Sequence, residues 1–520
     1  MTPVELPFPL LACALVVLRV SMVGHAPDDG DTLIAGLAAG LWLRFGSSRA
    51  VDVVVAALLL GAGCAVPWSR DPWISLLSCS LVAGCGACLA VGSAQPLRHG
   101  LWAGLALGGA AHAFVAAHQR FIVWPDALAH QVELELEPSM IERLASLRPL
   151  GLSISPDLSA AVGIAGVVGA AALVVDQGLP LAQRRWAGML GGVSLGALLL
   201  SRSFGALLAV AVGVVVVAVL SRSLRALLVL GLCALGALFA VVGRGMGAMS
   251  ASAAERLENW RIALQAFVDA PLVGQGLMRF APAYLERRGP DDNVTRYAHS
   301  LPLQWLAETG LVGAVAAVVV VVVVATQLFG GAMSLQRRLL VGGTIALWSR
   351  GLIDYDFEVG QTAMLASLVL GTALVDAPRR RSRVLVVAAV AILLCGLAQV
   401  VRLLSPATVL SVDVDAALSA VVDEGAPAEP TLSPFMHKLA PVALLVVQER
   451  LAHDDVVGAQ LLLVEALRAD PGNATALQLR VALARATEPA APGALAKARA
   501  EAARWHVDAG PDPVIVDEKR

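Results

Sequence analysis

Residues 311–329 read LVGAVAAVVVVVVVATQLF, an apolar run with no charged side chain. As a helix rising about 1.5 Å per residue, such a run matches the roughly 30 Å hydrocarbon core of a bilayer. Similar runs recur along the chain, and spans are expected near 8–23, 32–45, 51–67, 73–92, 100–118, 158–175, 186–200, 204–220, 224–242, 311–329, 339–353, 363–376 and 384–403. Lipid offers the backbone no hydrogen-bond partner, so each span must be helical. Composition agrees: the chain is 58% hydrophobic and 15% charged, with a mean hydropathy of +0.75, where a soluble domain carries about 25% charged residues. The expected fold class is an all-α polytopic membrane protein of about 12–13 transmembrane helices, with a large external loop and a small helical C-terminal domain.

Arginine orients the spans. Arg44 with Arg49, Arg98, Arg184 with Arg185, Arg222 with Arg225, Arg337 with Arg338, and the Arg379–Arg383 cluster fall in alternate loops. With thirteen spans, this alternation puts the N-terminus in the cytoplasm and the C-terminal tail outside, together with loops 119–157 and 243–310. Pro3, Pro7 and Pro9 interrupt the start and no basic segment precedes the first apolar run, so it does not read as a signal peptide. The formal net charge of −2 argues against a nucleic-acid partner. All seven cysteines lie in apolar segments, and Cys85-Gly86-Ala87-Cys88 reads as small helix-packing residues rather than a redox or metal pair. The transmembrane domain is expected to run over 1–404, followed by a Pro-rich linker at 405–439, a helical tail at 440–506 and a disordered end at 507–520. In the tail, Ala459, Leu462, Leu463, Ala466 and Leu467 recur at helical spacing, and Val457-Gly458-Ala459 returns about 34 residues later as Pro492-Gly493-Ala494. This resembles one and a half to two tetratricopeptide units, fewer than such arrays need alone. A tail of this kind leans on the membrane domain or a partner, which could be an assembly partner on the outside; the plainer alternative is a helical hairpin without a binding role.

The polar island from Arg256 to Ser300 concentrates the chemistry. Arg256 stands four residues before Trp260 on one helix face, extended by Ala263 and Phe267. Pro271, Gly274 and Gly276 break that helix. Ala298-His299-Ser300 precedes Gln304, Trp305, Glu308 and Gly310 at the next span. Arg148-Pro149-Leu150-Gly151 leads to Ser155-Pro156-Asp157, Ser201-Arg202-Ser203 forms a tight turn, and Asp354-Tyr355-Asp356 ends a later span. Each residue has a bland alternative: snorkelling for Arg202, a cation–π contact with Trp260 for Arg256, capping for His299 and an ordinary loop role for Arg148. Together, several fixed cations and one titratable base at a membrane surface suit a lipid-borne phosphate. Asp291-Asp292-Asn293 reads as a turn rather than a metal site.

This ordered set resembles the core of the O-antigen ligase and polymerase superfamily. The resemblance rests on Arg256-x-x-x-Trp260-x-x-Ala263, Asp269-x-Pro271-x-x-Gly274-x-Gly276, Ala298-His299-Ser300 with Gln304, and Glu308-x-Gly310, flanked by the Arg148, Arg202 and Asp354 motifs, over roughly 145–375. It implies a multi-pass protein of the bacterial inner membrane. That protein would move a glycan from undecaprenyl diphosphate to an acceptor hydroxyl on the periplasmic side, with inversion and without metal or cofactor. By carry-over His299 is the catalytic base, Arg202, Arg256 and Arg148 bind the diphosphate donor, and Trp260, Arg261, Gln304 and Asp354 support them. The acceptor would be lipid A core for a ligase, or a second lipid-linked glycan for a polymerase of O-antigen, capsule or exopolysaccharide units. Ser300 replaces the usual Asn, and Pro302 a common aromatic, which bears on how the acceptor is positioned. Two other classes compete. A transporter would carry charged or Gly/Pro-broken residues at mid-span, which this chain lacks apart from Arg19 near a span end. A membrane scaffold would act through the tail.

Overall fold

The computed structural model describes residues 7–21, 29–69, 72–132, 138–222, 246–287, 295–374 and 379–380, with parts of 386–393 and 459–504. The expected span at 224–242, most of that at 384–403, the linker 405–439, the Asp291-Asp292-Asn293 turn, the first part of the tail and the end at 507–520 lie outside the described residues.

The fold is all-α. In chain order the described helices are α1 (Pro7–Ser21), α2 (Asp29–Phe45), α3 (Arg49–Ala65), α4 (Pro72–Gly92), α5 (Arg98–His118), α6 (Trp124–Ala129), α7 (Pro138–Ala145), α8 (Pro156–Val174), α9 (Leu181–Ser201), α10 (Phe204–Ser221), α11 (Met246–Asp269), α12 (Phe280–Leu285), α13 (Leu301–Phe329), α14 (Leu335–Arg350), α15 (Gly360–Ala373), α16 (Ala474–Thr487) and α17 (Ala494–Arg504). Among the described residues five helical stretches, Arg49–Trp68, Gln95–Ala129, Pro156–Val174, Phe204–Ser221 and Leu301–Phe329, are long and apolar enough to cross a membrane, and Phe8–Val20, Thr32–Phe45 and Ser78–Gly92 are shorter apolar helices. The protein is therefore a polytopic membrane protein. One difference from the sequence reading concerns span five. The helix does not stop at 118 but continues through a π-helical turn at Gln119–Val123 into α6.

α5, α8 and α9 pack on one another, with α1 against α5 and α14 against both α8 and α10. A second group joins α4 to α2, α3 and α15, while α13 lies along α3 and α11. Between apolar helices in lipid, close backbone approach replaces the hydrophobic drive. Glycine supplies it: a Cβ added at Gly109 would sit 2.7 Å from the Cα of Gly166, so α5 and α8 touch backbone to backbone. Cys85 and Cys88 both lie on α4, Cys88 within the apolar core.

The arginine loops gather at one end of the bundle. Ser47 and Ser48 pair antiparallel with Arg380 and Arg379, Arg98 donates to Leu374 O, and Arg184 donates to Val174 O. Arg337 reaches Ala373 O. The loops around Arg148, Arg202, His299 and Asp354 meet at the opposite end. In the tail, Ala459, Leu463 and Leu467 share an apolar core with Leu477, Val481 and Ala502 of the α16–α17 pair.

Candidate functional site

His299 stands immediately before α13. Ser300 occupies the N-cap position in extended conformation, its side chain makes no capping bond, and Pro302 lies in the first turn. His299 itself adopts φ 55°, a left-handed conformation that costs a non-glycine residue about 1–3 kcal/mol and persists only where neighbours over-determine it. They do so here. Ala298 N donates to Gln304 Oε1 at 2.9 Å, Trp260 Nε1 donates to His299 O at 3.3 Å, and Leu301 N donates to Gly351 O at 2.6 Å. Trp260 and Gln304 thus hold the histidine's backbone.

The ring is held as firmly. His299 Nδ1 lies 3.3 Å from Asp354 Oδ1, whose carboxylate also accepts from Tyr355 N at 3.0 Å. Arg350, almost fully buried, donates to Asp354 Oδ2 at 3.4 Å and to both oxygens of Asp356, at 2.5 and 2.8 Å. Burial alone would raise the Asp354 carboxyl, but its bond to His299 and the charges of Arg350 and Arg256 outweigh that and hold it below the ordinary carboxylate range. Tyr355 packs edge-on against the imidazole, centroids 4.8 Å apart, and stacks parallel to Tyr297 at 5.0 Å.

A clamp fixes α11 to α13. Inside α13, Gly310 breaks the helix with φ 61° and ψ −157°. Such a break frees backbone groups, and the 271–276 segment takes them up: Leu311 N donates to Pro271 O, Val312 N to Leu272 O, Gln275 N to Ala307 O and Gly276 N to Glu308 O, at 2.8 to 3.1 Å. The approach leaves no room for side chains. A Cβ at Gly274 would lie 2.2 Å from the carbonyl carbon of Glu308, and one at Gly310 2.5 Å from that of Leu272. Buried Glu308 accepts from Phe280 N and Gln304 Nε2 at 3.3 and 3.1 Å. Pro271, Gly274, Gly276, Glu308 and Gly310 therefore form a structural joint that carries the His299 loop, while Asp269 pairs with Arg287.

The expected arginines divide. Arg202 ends α9 at φ 49°. Ser201 Oγ and Ser203 Oγ cap the turn around it by accepting from Ser203 N and Ala206 N. Among the described residues its guanidinium has no hydrogen-bond or ion-pair partner. Arg256 donates from one terminal nitrogen to Ser252 Oγ at 3.1 Å, and its buried Nε has no partner among the described residues. No cation–π contact between Arg256 and Trp260 occurs among the described residues, and the charge of Arg256 is felt at Asp354. Arg148 is already occupied, through Nε to Ser201 O at 2.8 Å and through a terminal nitrogen to Asp157 Oδ1 at 3.0 Å. It joins the loop before α8 to the Arg202 turn. Arg261 points elsewhere, pairing with Glu258 on the exposed face of α11.

The structure thus brings together His299, Asp354, Trp260, Gln304 and Arg256, and ties Arg148 to the Arg202 turn; it leaves Arg261 apart. Arg350, Tyr355 and Asp157 also belong to the assembly and were not picked as site residues from the sequence. For Asp157 and Tyr355 the signal was their place inside motifs already noted. For Arg350 it was a charge four residues before Asp354, on the last turn of a span. His112, by contrast, is buried between Ser159 Oγ and Leu152 N, a packing role. Beside α9, an apolar recess of about 240 Å³ lies between α8, α9, α10 and α14, with Ile164, Leu198, Val214 and Ala346 in its wall. Among the described residues no group of three or more His, Cys, Asp or Glu could hold a metal ion.

Residues 189–318 match a protein-family model described as O-antigen ligase, which supports the O-antigen ligase and polymerase superfamily for this chain. The matched stretch contains Arg202, Arg256, the 271–276 segment, His299 and Gly310. No curated protein matches the chain.

Proposed function

We propose that the chain is a membrane glycosyltransferase of the O-antigen ligase and polymerase superfamily, moving a glycan from a polyprenyl diphosphate to an acceptor hydroxyl outside the cytoplasmic membrane. The observation that carries this reading is the pairing of a fixed histidine with guanidinium groups that make no ion pair among the described residues, at one end of a membrane bundle. With Nδ1–H donated to the Asp354 carboxylate, the imidazole presents an unprotonated Nε2 as base. Nε2 takes the proton of the acceptor hydroxyl, and the oxygen attacks the anomeric carbon from the face opposite the diphosphate. The bond from that carbon to the diphosphate oxygen breaks, and its electron pair leaves with the diphosphate. This single displacement inverts the anomeric centre.

Negative charge grows on the leaving diphosphate as the bond breaks. Arg202 and Arg256, which make no ion pair among the described residues, stabilise it more in the transition state than in the ground state. Arginine does this without a metal, since it keeps its charge and binds phosphate through two parallel bonds. Arg148 positions the Arg202 turn, and Asp354 and Arg350 orient the base. The arginine-rich end of the bundle faces the cytoplasm under this reading, and the C-terminal tail lies in the periplasm as a recruiting module. We favour a ligase, with lipid A core as acceptor, over a polymerase, because the matching family is described as O-antigen ligase.

The test is genetic. Deletion of the gene, followed by gel analysis of surface glycan, should give lipid A core without polymer and an accumulation of lipid-linked polymer. Core capped with a single repeat, or loss of capsule with unchanged core, would make the enzyme a polymerase. Complementation with His299→Ala or Arg256→Ala should fail at normal protein level, and normal glycan from either variant would overturn the site.

A further inference from the structure

Arg120 is a cation that the mechanism above leaves unused. It lies in the π-helical turn Gln119–Val123, where the long helix from Gln95 to Ala129 changes its winding. Such turns are rare, re-aim the side chains they carry, and are frequent at functional sites. Its neighbour Gln119 is tied into the Arg148 loop. Gln119 Oε1 accepts from Leu150 N at 3.0 Å and Gly151 N at 2.8 Å, and its Nε2 donates to Gly151 O at 3.1 Å. Arg148 in turn donates to Ser201 O. Hydrogen bonds therefore link the turn bearing Arg120 to the turn bearing Arg202, and the two guanidinium groups lie within electrostatic reach of each other.

Like charges held on neighbouring elements repel, and nothing among the described residues relieves the repulsion here. Among the described residues Arg120 has no carboxylate partner; its contact is with the ring of Phe121, 5.6 Å from the centroid. A multivalent anion between the two would turn the repulsion into attraction. The surroundings indicate the rest of that ligand. Phe121 and Ile122 are 65% and 59% exposed, an apolar rim directly beside the charge. A ligand with a doubly anionic head and a hydrocarbon chain has this polarity.

We propose that Arg120 is a further donor-binding residue, pairing with Arg202 across the diphosphate on the side where the lipid chain leaves it. This rests on reading the site as the donor site. Because Arg120 grips the head from the lipid-facing rim, it binds donor and transition state about equally. Its loss should then raise KM with little change in kcat.

The full-length protein in lipid nanodiscs, supplied with a lipid-linked glycan donor, provides the test. Arg120→Ala should raise donor KM about tenfold or more, as expected for lost charge-assisted bonds, with kcat within about twofold and acceptor KM unchanged. Inorganic pyrophosphate should inhibit the variant more weakly than the wild type by a similar factor, and Arg120→Lys should restore part of the loss. Each variant's thermal midpoint is matched to wild type first; if Arg120→Ala fails that match, Arg120→Gln replaces it. Unchanged donor KM and unchanged pyrophosphate inhibition would overturn the inference, as would a fall in kcat at constant KM. If Arg202→Ala and His299→Ala abolish transfer while Arg120→Ala leaves KM alone, this inference fails and the site stands. If those two variants transfer normally, the reading of the site itself fails.

Discussion

The two ends of the bundle use arginine in opposite ways. At the end that carries most of the basic loops, guanidinium groups are spent on backbone carbonyls. Arg337 donates to Gln327 O, Leu328 O, Gly330 O, Ala332 O and Ala373 O, at 2.7 to 3.5 Å, which closes the C-terminus of α13 and the turn after it. Arg184 caps α8 through Val174 O at 2.7 Å. These bonds answer the unsatisfied carbonyls that every helix end leaves, with a charge that suits the negative end of the helix dipole. At the other end the backbone groups around Arg202 are satisfied by Ser201, Ser203 and, at one carbonyl, Arg148, and those around His299 by Gln304, Trp260 and Gly351. Among the described residues the guanidinium of Arg202 is left over. An arginine that caps a helix stabilises the fold, whereas one whose local backbone is satisfied by others is available to a ligand.

That contrast is broken most directly by exchanging what the two classes of arginine are asked to do. Arg202→Ala should lower glycan transfer by about 10²–10³, the loss typical of removing one donor to a developing oxyanion, while the thermal midpoint stays at the wild-type value. Arg202→Lys should recover little, because an ammonium does not reproduce the planar fork. In vitro transfer with purified protein measures both, and full activity of either variant would remove Arg202 from the site. Arg337→Ala should do the reverse. It leaves several carbonyls at a helix end without donors, a cost of about 1–3 kcal/mol, so the midpoint should fall while the rate per folded molecule is kept. A variant as stable as wild type would show that the clasp at α13 is ornamental.

Which end an arginine belongs to was legible in the sequence; what it does there was only partly so. The alternation of Arg44, Arg98, Arg184 and Arg337 along the loops separated the ends correctly, because each span reverses direction and the pattern needs no tertiary knowledge. The order of the Arg202, Arg256 and His299 motifs likewise selected residues that the fold brings to one end. The sequence did not reveal that Arg148 is already bound to Asp157 and Ser201, or that Arg261 turns away to Glu258, since helix spacing alone does not say which face meets a neighbour. Arg350 was invisible for a related reason. Its importance comes from Asp354 and Asp356 folding back onto the last turn of α14, a contact set by a short irregular turn rather than by periodicity. Gly274 was read as one of the residues that end α11, and Gly310 only as a motif residue at the start of the next span, where the structure shows it to break α13. Their mutual closeness, which makes them a joint, depends on two segments more than thirty residues apart.

The ends should also differ in how they respond to acid, the smallest of the expected effects. The Arg337 clasp is made with carbonyl oxygens, which do not titrate, so the midpoint difference between wild type and Arg337→Ala should be flat from pH 8 to pH 3. Asp354 does titrate. Its carboxyl is held below the ordinary range in the folded protein, so the unfolded chain takes up a proton at higher pH than the folded one. The stability this contributes is fully present above the ordinary carboxylate value of about 3.9, and is lost as pH falls below it toward the depressed folded value. The difference in midpoint between wild type and Asp354→Asn should therefore be constant from pH 8 to about pH 5 and shrink below about pH 4. Thermal melts of the three proteins across that range decide the matter. If the Asp354→Asn difference closes between pH 7 and pH 5 instead, the His299–Asp354 pair does not hold the carboxylate charged. The imidazole would then lack the fixed partner that makes its Nε2 a base.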